Sequence, residues 1–217
     1  AARMAIEDLA WLGIDWDEGP VYQSNRLAAY EEAANRLVNL GLAYPCICTR
    51  REVDLAASAP HAEDGASVYP GTCHGRFVSV EQARREAGRE PAVRFHLVSG
   101  DMEFDDGFMG RRRYDAAREL GDFVIRKSDG TPAYQLAVVI DDSDMGVTHV
   151  VRGDDLLDST PRQIALYRAL NLNELIPQYI HLPLVVGLDG RRLAKRHGDT
   201  RLATYRRQRM SASHLLR

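Results

Sequence analysis

Residues 181–199 read HLPLVVGLDGRRLAKRHGD, and the rest of the chain is best understood outward from this stretch. Leu182 to Val186 is a short apolar run, long enough for one buried strand. Asp189-Gly190 is a turn dipeptide. The loop after it carries Arg191, Arg192, Lys195 and Arg196. A cationic loop leaving the end of a sheet strand suits a polyanion, most simply the phosphates of a nucleotide. The competing reading is a solvated basic loop without chemistry. Only two of the 28 basic residues are lysines, Lys127 and Lys195, and one of them stands in this loop. A compact ammonium on a flexible stem can follow a phosphate that moves during reaction better than a planar guanidinium can.

Upstream, the pattern predicts an α/β crossover. Leu136 to Ile140 and Val147 to Val151 are candidate buried strands. Ser159-Thr160-Pro161 opens a helix running to Leu170, with a capping hydroxyl followed by proline in the first turn. Strand, helix, strand in that order predicts a parallel unit. Arg152, just before Gly153, can project into the crevice at the carboxyl edge of such a sheet and grip a carboxylate bidentately. A plain ion pair with Asp154, Asp155 or Asp158 is the alternative, and Tyr134 read alone is core. His149 and His181 invite an acid–base reading, which is set aside: His149 reads as a packed or pocket-lining strand residue. The pairs Asp141-Asp142 and Asp154-Asp155 fit turns as well as a second metal site.

Closer to the amino end, residues 26–40 form an amphipathic helix. Leu27, Tyr30, Ala34, Leu37 and Val38 line one face, and Gly41 supplies the cap. From Tyr44 to about Tyr114 the texture changes. Val93, Phe95 and Leu97 alternate as in a half-buried strand, and Phe123 to Ile125 is a further short run closed by Asp129-Gly130. All three cysteines lie here. Cys46-Ile47-Cys48 and Cys73 offer three thiolates for zinc, with Tyr69, His74 or His61 as a fourth ligand. Three partly buried structural thiols are the alternative.

The order of these motifs resembles class I aminoacyl-tRNA synthetases of the glutamate branch. Residues 192–196, RLAKR, resemble that family's second signature, K-M-S-K-S or K-L-S-K-R, with Arg192 for the first lysine and Ala194 for the serine. Residues 12–20, LGIDWDEGP, and 159–163, STPRQ, also match its patterns. The Cys-x-Cys pair with residues 69–73, YPGTC, is similar to the zinc site of the glutamyl-queuosine tRNA(Asp) type. The resemblance implies a partial Rossmann-type nucleotide-binding core of α/β class with an inserted zinc-containing α+β module. Its expected parts are residues 1–43 (first half of the core), 44–132 (inserted module), 133–190 (second half) and 191–217 (signature loop and basic helical segment).

The resemblance also implies roles for particular residues. Lys195 is the catalytic cation. Lys195, Arg192, Leu184 and Val185 bind ATP, with magnesium. Tyr134 and Arg152 hold glutamate. Cys46, Cys48, Tyr69 and Cys73 hold a structural zinc. The implied reaction is activation of glutamate and its transfer to the queuosine base of tRNA(Asp). Charging of tRNA(Glu) by an ordinary synthetase core is the alternative, and a non-catalytic, zinc-stabilised RNA-binding module is a third reading. The family's first signature, H-I-G-H, would precede Ala1, so the chain is expected to be a piece of a longer protein, inactive alone.

Composition agrees with a globular protein of 45% hydrophobic and 27% charged residues. No apolar run is long enough to span a membrane. Three cysteines with this spacing do not make a disulfide framework, so a reducing cytoplasm is expected. A monomer is expected as well. The net charge of −3 hides an asymmetry: residues 191–217 hold nine basic residues against Asp199 alone. A basic end on an acidic body suits phosphates or a nucleic-acid backbone.

Overall fold

The structure, a computed structural model, describes residues 2–49, 51–53, 68–185 and 202–215. In chain order its elements begin with helices α1 (Ala2–Leu12) and α2 (Leu27–Asn39), strand β1 (Ala43–Cys46) and helix α3 (Val80–Ala87). Strands β2 (Ala92–Phe95), β3 (Asp101–Asp106), β4 (Gly110–Asp115) and β5 (Phe123–Arg126) come next. Helix α4 (Tyr134–Asp144), strand β6 (His149–Gly153), helix α5 (Ser159–Ala169) and strand β7 (Gln178–Leu182) come after these, then the short helices α6 (Leu202–Arg207) and α7 (Ala212–Leu215). The chain divides into two compact units: Ala1–Tyr22 with Leu184–Arg217, and Gln23–Pro183. In the first, Arg206 Nη1 lies 2.7 Å from Asp8 Oδ1, tying α6 to α1.

The second unit holds two sheets. One is antiparallel, in the order β1-β2-β5. The other is mixed, in the order β4-β3-β7-β6: β3 and β4 form an antiparallel hairpin, while β7 runs parallel to both β3 and β6. The parallel β6–α5–β7 crossover is the one the sequence predicts. Tyr30, Ala34 and Leu37 of α2 pack with Val93, Phe95, Phe123, Leu136, Val139 and Tyr167 in one core. Leu27, expected on the same face, is 52% exposed. Gly41, at φ +70, closes α2: its N–H reaches Val38 O while Leu42 N–H reaches Leu37 O, a glycine-closed C-terminal cap.

Three local expectations are corrected. Leu136 to Ile140 is not a strand but the middle of α4. Leu136, Ala137, Val139 and Ile140 are buried at helical spacing, which a five-residue apolar run cannot reveal. The strand expected at 147–151 begins at His149, and the one expected at 182–186 occupies Gln178–Leu182. In β7 the inward positions are Tyr179 and His181, so a buried histidine breaks the apolar signature, and Pro183, lacking an N–H, comes directly after. Neither Ser159 nor Thr160 caps α5; the residue before the helix is Asp158, with no side-chain cap.

Helices α2 and α4 are joined by a polar clamp. Asp141 accepts from Gln23 Nε2 at 2.8 Å, Arg26 Nε at 2.7 Å and Tyr30 Oη at 2.7 Å. Asp141 thus sits in a helix, not in the turn its acidic doublet suggested. Replacing Asp141 by alanine would leave Arg26 Nε and the buried Tyr30 hydroxyl without their acceptor, while Arg26 Nη2 keeps Asp144. The expected loss is roughly 2 kcal/mol or more, since hydrogen bonds to charged groups are worth about 1.5–3 kcal/mol each and do not add fully. A urea titration should show a lower midpoint at unchanged slope.

Candidate functional site

The mixed sheet sets a line of polar side chains across three strands. Arg152 of β6 and His181 of β7 are register neighbours, so their side chains leave the same face. The end of β3 is drawn against β7 at Gly107, whose N–H reaches Tyr179 O at 2.8 Å. A Cβ at Gly107 would stand 2.9 Å from Ile180 Cγ1, so only glycine permits this approach. The approach brings the Asp106 carboxylate to His181. Asp106 Oδ2 lies 2.6 Å from His181 Nδ1, and Oδ1 accepts from the backbone N–H groups of His181, Phe108 and Met109 at 2.8–3.1 Å. Both side chains are fully buried.

The far side of the ring holds Arg152. Its Nε donates to His181 Nε2 at 2.9 Å, and its Nη2 donates to Thr160 Oγ1 at 2.8 Å and Leu156 O at 3.4 Å. Its Nη1 donates to Tyr134 Oη at 3.3 Å. The guanidinium carries only donors, so His181 Nε2 must accept and the ring proton resides on Nδ1, shared with Asp106. Tyr134, 48% exposed at the start of α4, is therefore not core. The structure brings Tyr134 and Arg152 together, and the guanidinium's bonds run to these groups rather than to the acidic neighbours weighed from sequence. His149 is exposed at the start of β6, with Nδ1 2.9 Å from Thr148 Oγ1, and is not packed.

The cysteines form a second constellation, set in a small core of its own with Tyr44, Phe77 and Ala83. The sulfurs of Cys46, Cys48 and Cys73 lie within 4.8 Å of one another. Tyr69 Oη sits among them: 3.4 Å from Cys46 Sγ, 3.4 Å from Cys48 Sγ, and accepting from Cys73 N–H at 2.9 Å. A tetrahedral zinc with bonds of about 2.3 Å to sulfur and 2.0 Å to oxygen spaces its ligands by about 3.8 Å (S to S) and 3.5 Å (S to O). The three sulfurs and the phenol oxygen are compatible with that figure.

His74 is turned elsewhere, its ring stacked 3.9 Å from His96, and His61 lies outside the described residues. Burial pushes the Cys48 thiol and the Tyr69 hydroxyl well up, so both keep their protons at neutral pH without a cation. Arg94, unremarked in the sequence, donates to Cys46 Sγ at 3.3 Å and lies 3.8 Å over the Tyr69 ring. Gly121 packs against the same segment at φ +62, where a Cβ would meet Val68 Cγ1 at 2.5 Å.

Lys195 and Arg192 lie outside the described residues. Leu184 is half-buried and Val185 is 73% exposed. Among the described residues no helix is long and apolar enough to cross a membrane.

The family model described as tRNA synthetases class I (E and Q), catalytic domain, matches residues 1–216. The chain belongs to this family. It is 48% identical to a glutamyl-Q tRNA(Asp) synthetase of Symbiobacterium thermophilum over 94% of its own length and 65% of that protein's. It is 41% identical to glutamate–tRNA ligase 1 of Alkalilimnicola ehrlichii over 96% of its length and 43% of that protein's. The solved glutamate-tRNA synthetase of Elizabethkingia anophelis superposes at a TM-score of 0.73 and 27% identity, covering 91% of this chain and 43% of that one. The chain thus spans about two thirds of the first of these relatives and under half of the other two. The mixed α/β architecture is that of a class I synthetase catalytic domain. Two members of its Arg152 network, Asp106 and His181, were not identified as a pair from sequence: Asp106 precedes a glycine and reads as a turn residue.

Asp106 gives this class I domain a distinct acid response. Burial alone raises a carboxylate's pKa, but the His181 ring and three backbone N–H groups outweigh it and hold Asp106 at about 2, below its ordinary 3.8. The stability this contributes is complete above about pH 4 and is lost as pH falls toward 2. That shift corresponds to roughly 2 kcal/mol. Denaturant midpoints measured across pH 2–5 should fall for the wild type and flatten in Asp106→Asn.

Proposed function

We propose that this chain is the glutamate-activating part of an enzyme that loads glutamate onto the queuosine base of tRNA(Asp). The observation that carries the reading is the meeting of Tyr134 and Arg152. A hydroxyl and a half-buried guanidinium stand 3.3 Å apart, with the guanidinium held from behind. Such an arrangement suits the carboxylate of a small acidic substrate. The similarity to a glutamyl-Q tRNA(Asp) synthetase at 48% identity supports the acceptor. The glutamate–tRNA ligase relative, at 41%, supports the second reading, charging of tRNA(Glu).

The chemistry on this reading begins with glutamate's carboxylate oxygen attacking the α-phosphorus of ATP. The bond to the bridging oxygen breaks, pyrophosphate leaves and glutamyl adenylate remains; magnesium, when bound, would offset phosphate charge. The acyl group then passes to an RNA hydroxyl, which displaces AMP. The protein's part is positioning and charge stabilisation. On this reading Arg152 and Tyr134 orient glutamate, and the family resemblance assigns Leu184, Val185, Arg192 and Lys195 to ATP. Zinc, held by Cys46, Cys48, Tyr69 and Cys73, would supply a structural cross-link between β1 and the segment around residues 69–73.

Two measurements check this. The complete protein, given radiolabelled glutamate, ATP and tRNA(Asp) with or without queuosine, is expected to label only the queuosine-containing RNA. Labelling of tRNA(Glu) at its 3′ end would assign the second reading instead, and no label on either RNA would end both. The purified protein is expected to carry one zinc ion by elemental analysis. Cys73→Ala should lose it together with several degrees of thermal stability, because metal binding contributes directly to folding free energy.

A further inference from the structure

We propose that Asp106 is a positioning residue for substrate binding: it fixes the His181 proton on Nδ1, so that Nε2 accepts from Arg152 and aims the guanidinium's outer edge at the substrate carboxylate. This rests on the reading of Arg152 as the carboxylate partner. Asp106 itself stands two hydrogen bonds away from that edge and touches Arg152 nowhere among its hydrogen bonds.

The geometry distinguishes this from an ordinary buried ion pair. The hydrogen-bond partners of Arg152 are the imidazole of His181, the hydroxyls of Thr160 and Tyr134, and the carbonyl of Leu156, all four neutral. The Tyr179 ring lies 5.3 Å from the guanidinium, and Asp142 feels its charge without a hydrogen bond to it. A carboxylate placed directly on Nε would orient the guanidinium but also satisfy its charge. An intervening imidazole orients it and leaves the charge available to an incoming anion. The imidazole can do so only in one tautomer, and Asp106 on Nδ1 selects it in concert with the donor-only Arg152 on Nε2.

Asp106 is well built for that selection. Its Oδ1 is committed to three backbone N–H groups, leaving Oδ2 as the acceptor for Nδ1–H. The same commitment predicts what an amide would do. In Asp106→Asn the carbonyl oxygen must stay with the three backbone donors, so the NH2 faces His181 Nδ1. Nδ1 then has to accept, the ring proton moves to Nε2, and Nε2–H meets Arg152 Nε–H head on. Arg152 loses its rear support although no charged group has been added near it.

The experiment uses the complete protein with nitrogen-15-labelled histidine. In the wild type the His181 signals should show the proton on Nδ1; in Asp106→Asn, on Nε2. Glutamate transfer to RNA by the variant should show KM for glutamate raised tenfold to a hundredfold, the range expected when a substrate-binding group is misplaced, with a smaller change in kcat and in KM for ATP. A purely structural role would lower stability without this split. A wild-type proton on Nε2, or an unchanged glutamate KM in a variant whose tautomer has moved, overturns the proposal alone. Failure of the wild type to bind glutamate at all overturns the reading of the site, and the proposal with it.

Discussion

The approach of β3 to β7 at Gly107 is the constraint on which the polar centre depends. It rests on one bridging pair, Asp106 opposite Tyr179, and on the absence of a side chain at residue 107. Everything after it is a matter of register. Asp106 meets His181 because that approach places them together, and His181 meets Arg152 because β6 and β7 run parallel with those residues side by side. A slip of one residue between β6 and β7 would send one of the two to the opposite face, because side chains alternate. The site is therefore specified by backbone pairing before any of its own hydrogen bonds form.

Burial explains why the network is so complete. A carboxylate with no solvent contact is costly unless each of its oxygens is occupied, and Asp106 has four donors. An imidazole between a carboxylate and a guanidinium has one arrangement of protons that satisfies both. The energetic requirement to leave nothing unpaired and the geometric requirement to hold Arg152 still are met by the same atoms. A similar economy appears at Asp141, where three donors from around α2 converge on a carboxylate of α4, but there the result is only attachment of two helices.

These two carboxylates also show what the sequence could and could not convey. The meeting of Arg152 with Tyr134 and the gathering of the three cysteines were legible, the first through the family resemblance and the second through spacing. The parallel crossover was legible from the helix between two apolar stretches. So were the strands around Val93 and Phe123, but those expected at 136–140 and 182–186 were not where the structure has them. Leu136 to Ile140 satisfies a strand's composition and a helix's periodicity equally over five residues, and the decision comes from Asp141, whose partners around α2 lie more than 110 residues upstream. In β7 the inward residues are an aromatic and a histidine, so the apolar run just after it drew the strand assignment forward. Thr160 read as a cap because its hydroxyl stands where helices begin, whereas Arg152, eight residues back, claims it. In each case a polar partner from another element overrode a local preference, and such partners leave no periodic trace.

The two polar constellations differ in what completes them. The Arg152 network closes on itself: every donor at its buried end has an acceptor from the same chain. The cysteine cluster crowds three sulfurs and a phenol together, and burial keeps the Cys48 and Tyr69 protons on, an unfavourable way to fill a core unless those protons are exchanged for a cation. Its surrounding apolar cluster is small, built on Tyr44, Phe77 and Ala83, whereas the Arg152 face is backed by the large core under α4 and α5. A cation would therefore matter most to the order of β1 and the segment bearing Tyr69, and least to the register of β3, β7 and β6. The outer edge of Arg152 is set by strand pairing and buried hydrogen bonds, and its geometry does not require the cysteine cluster to be filled.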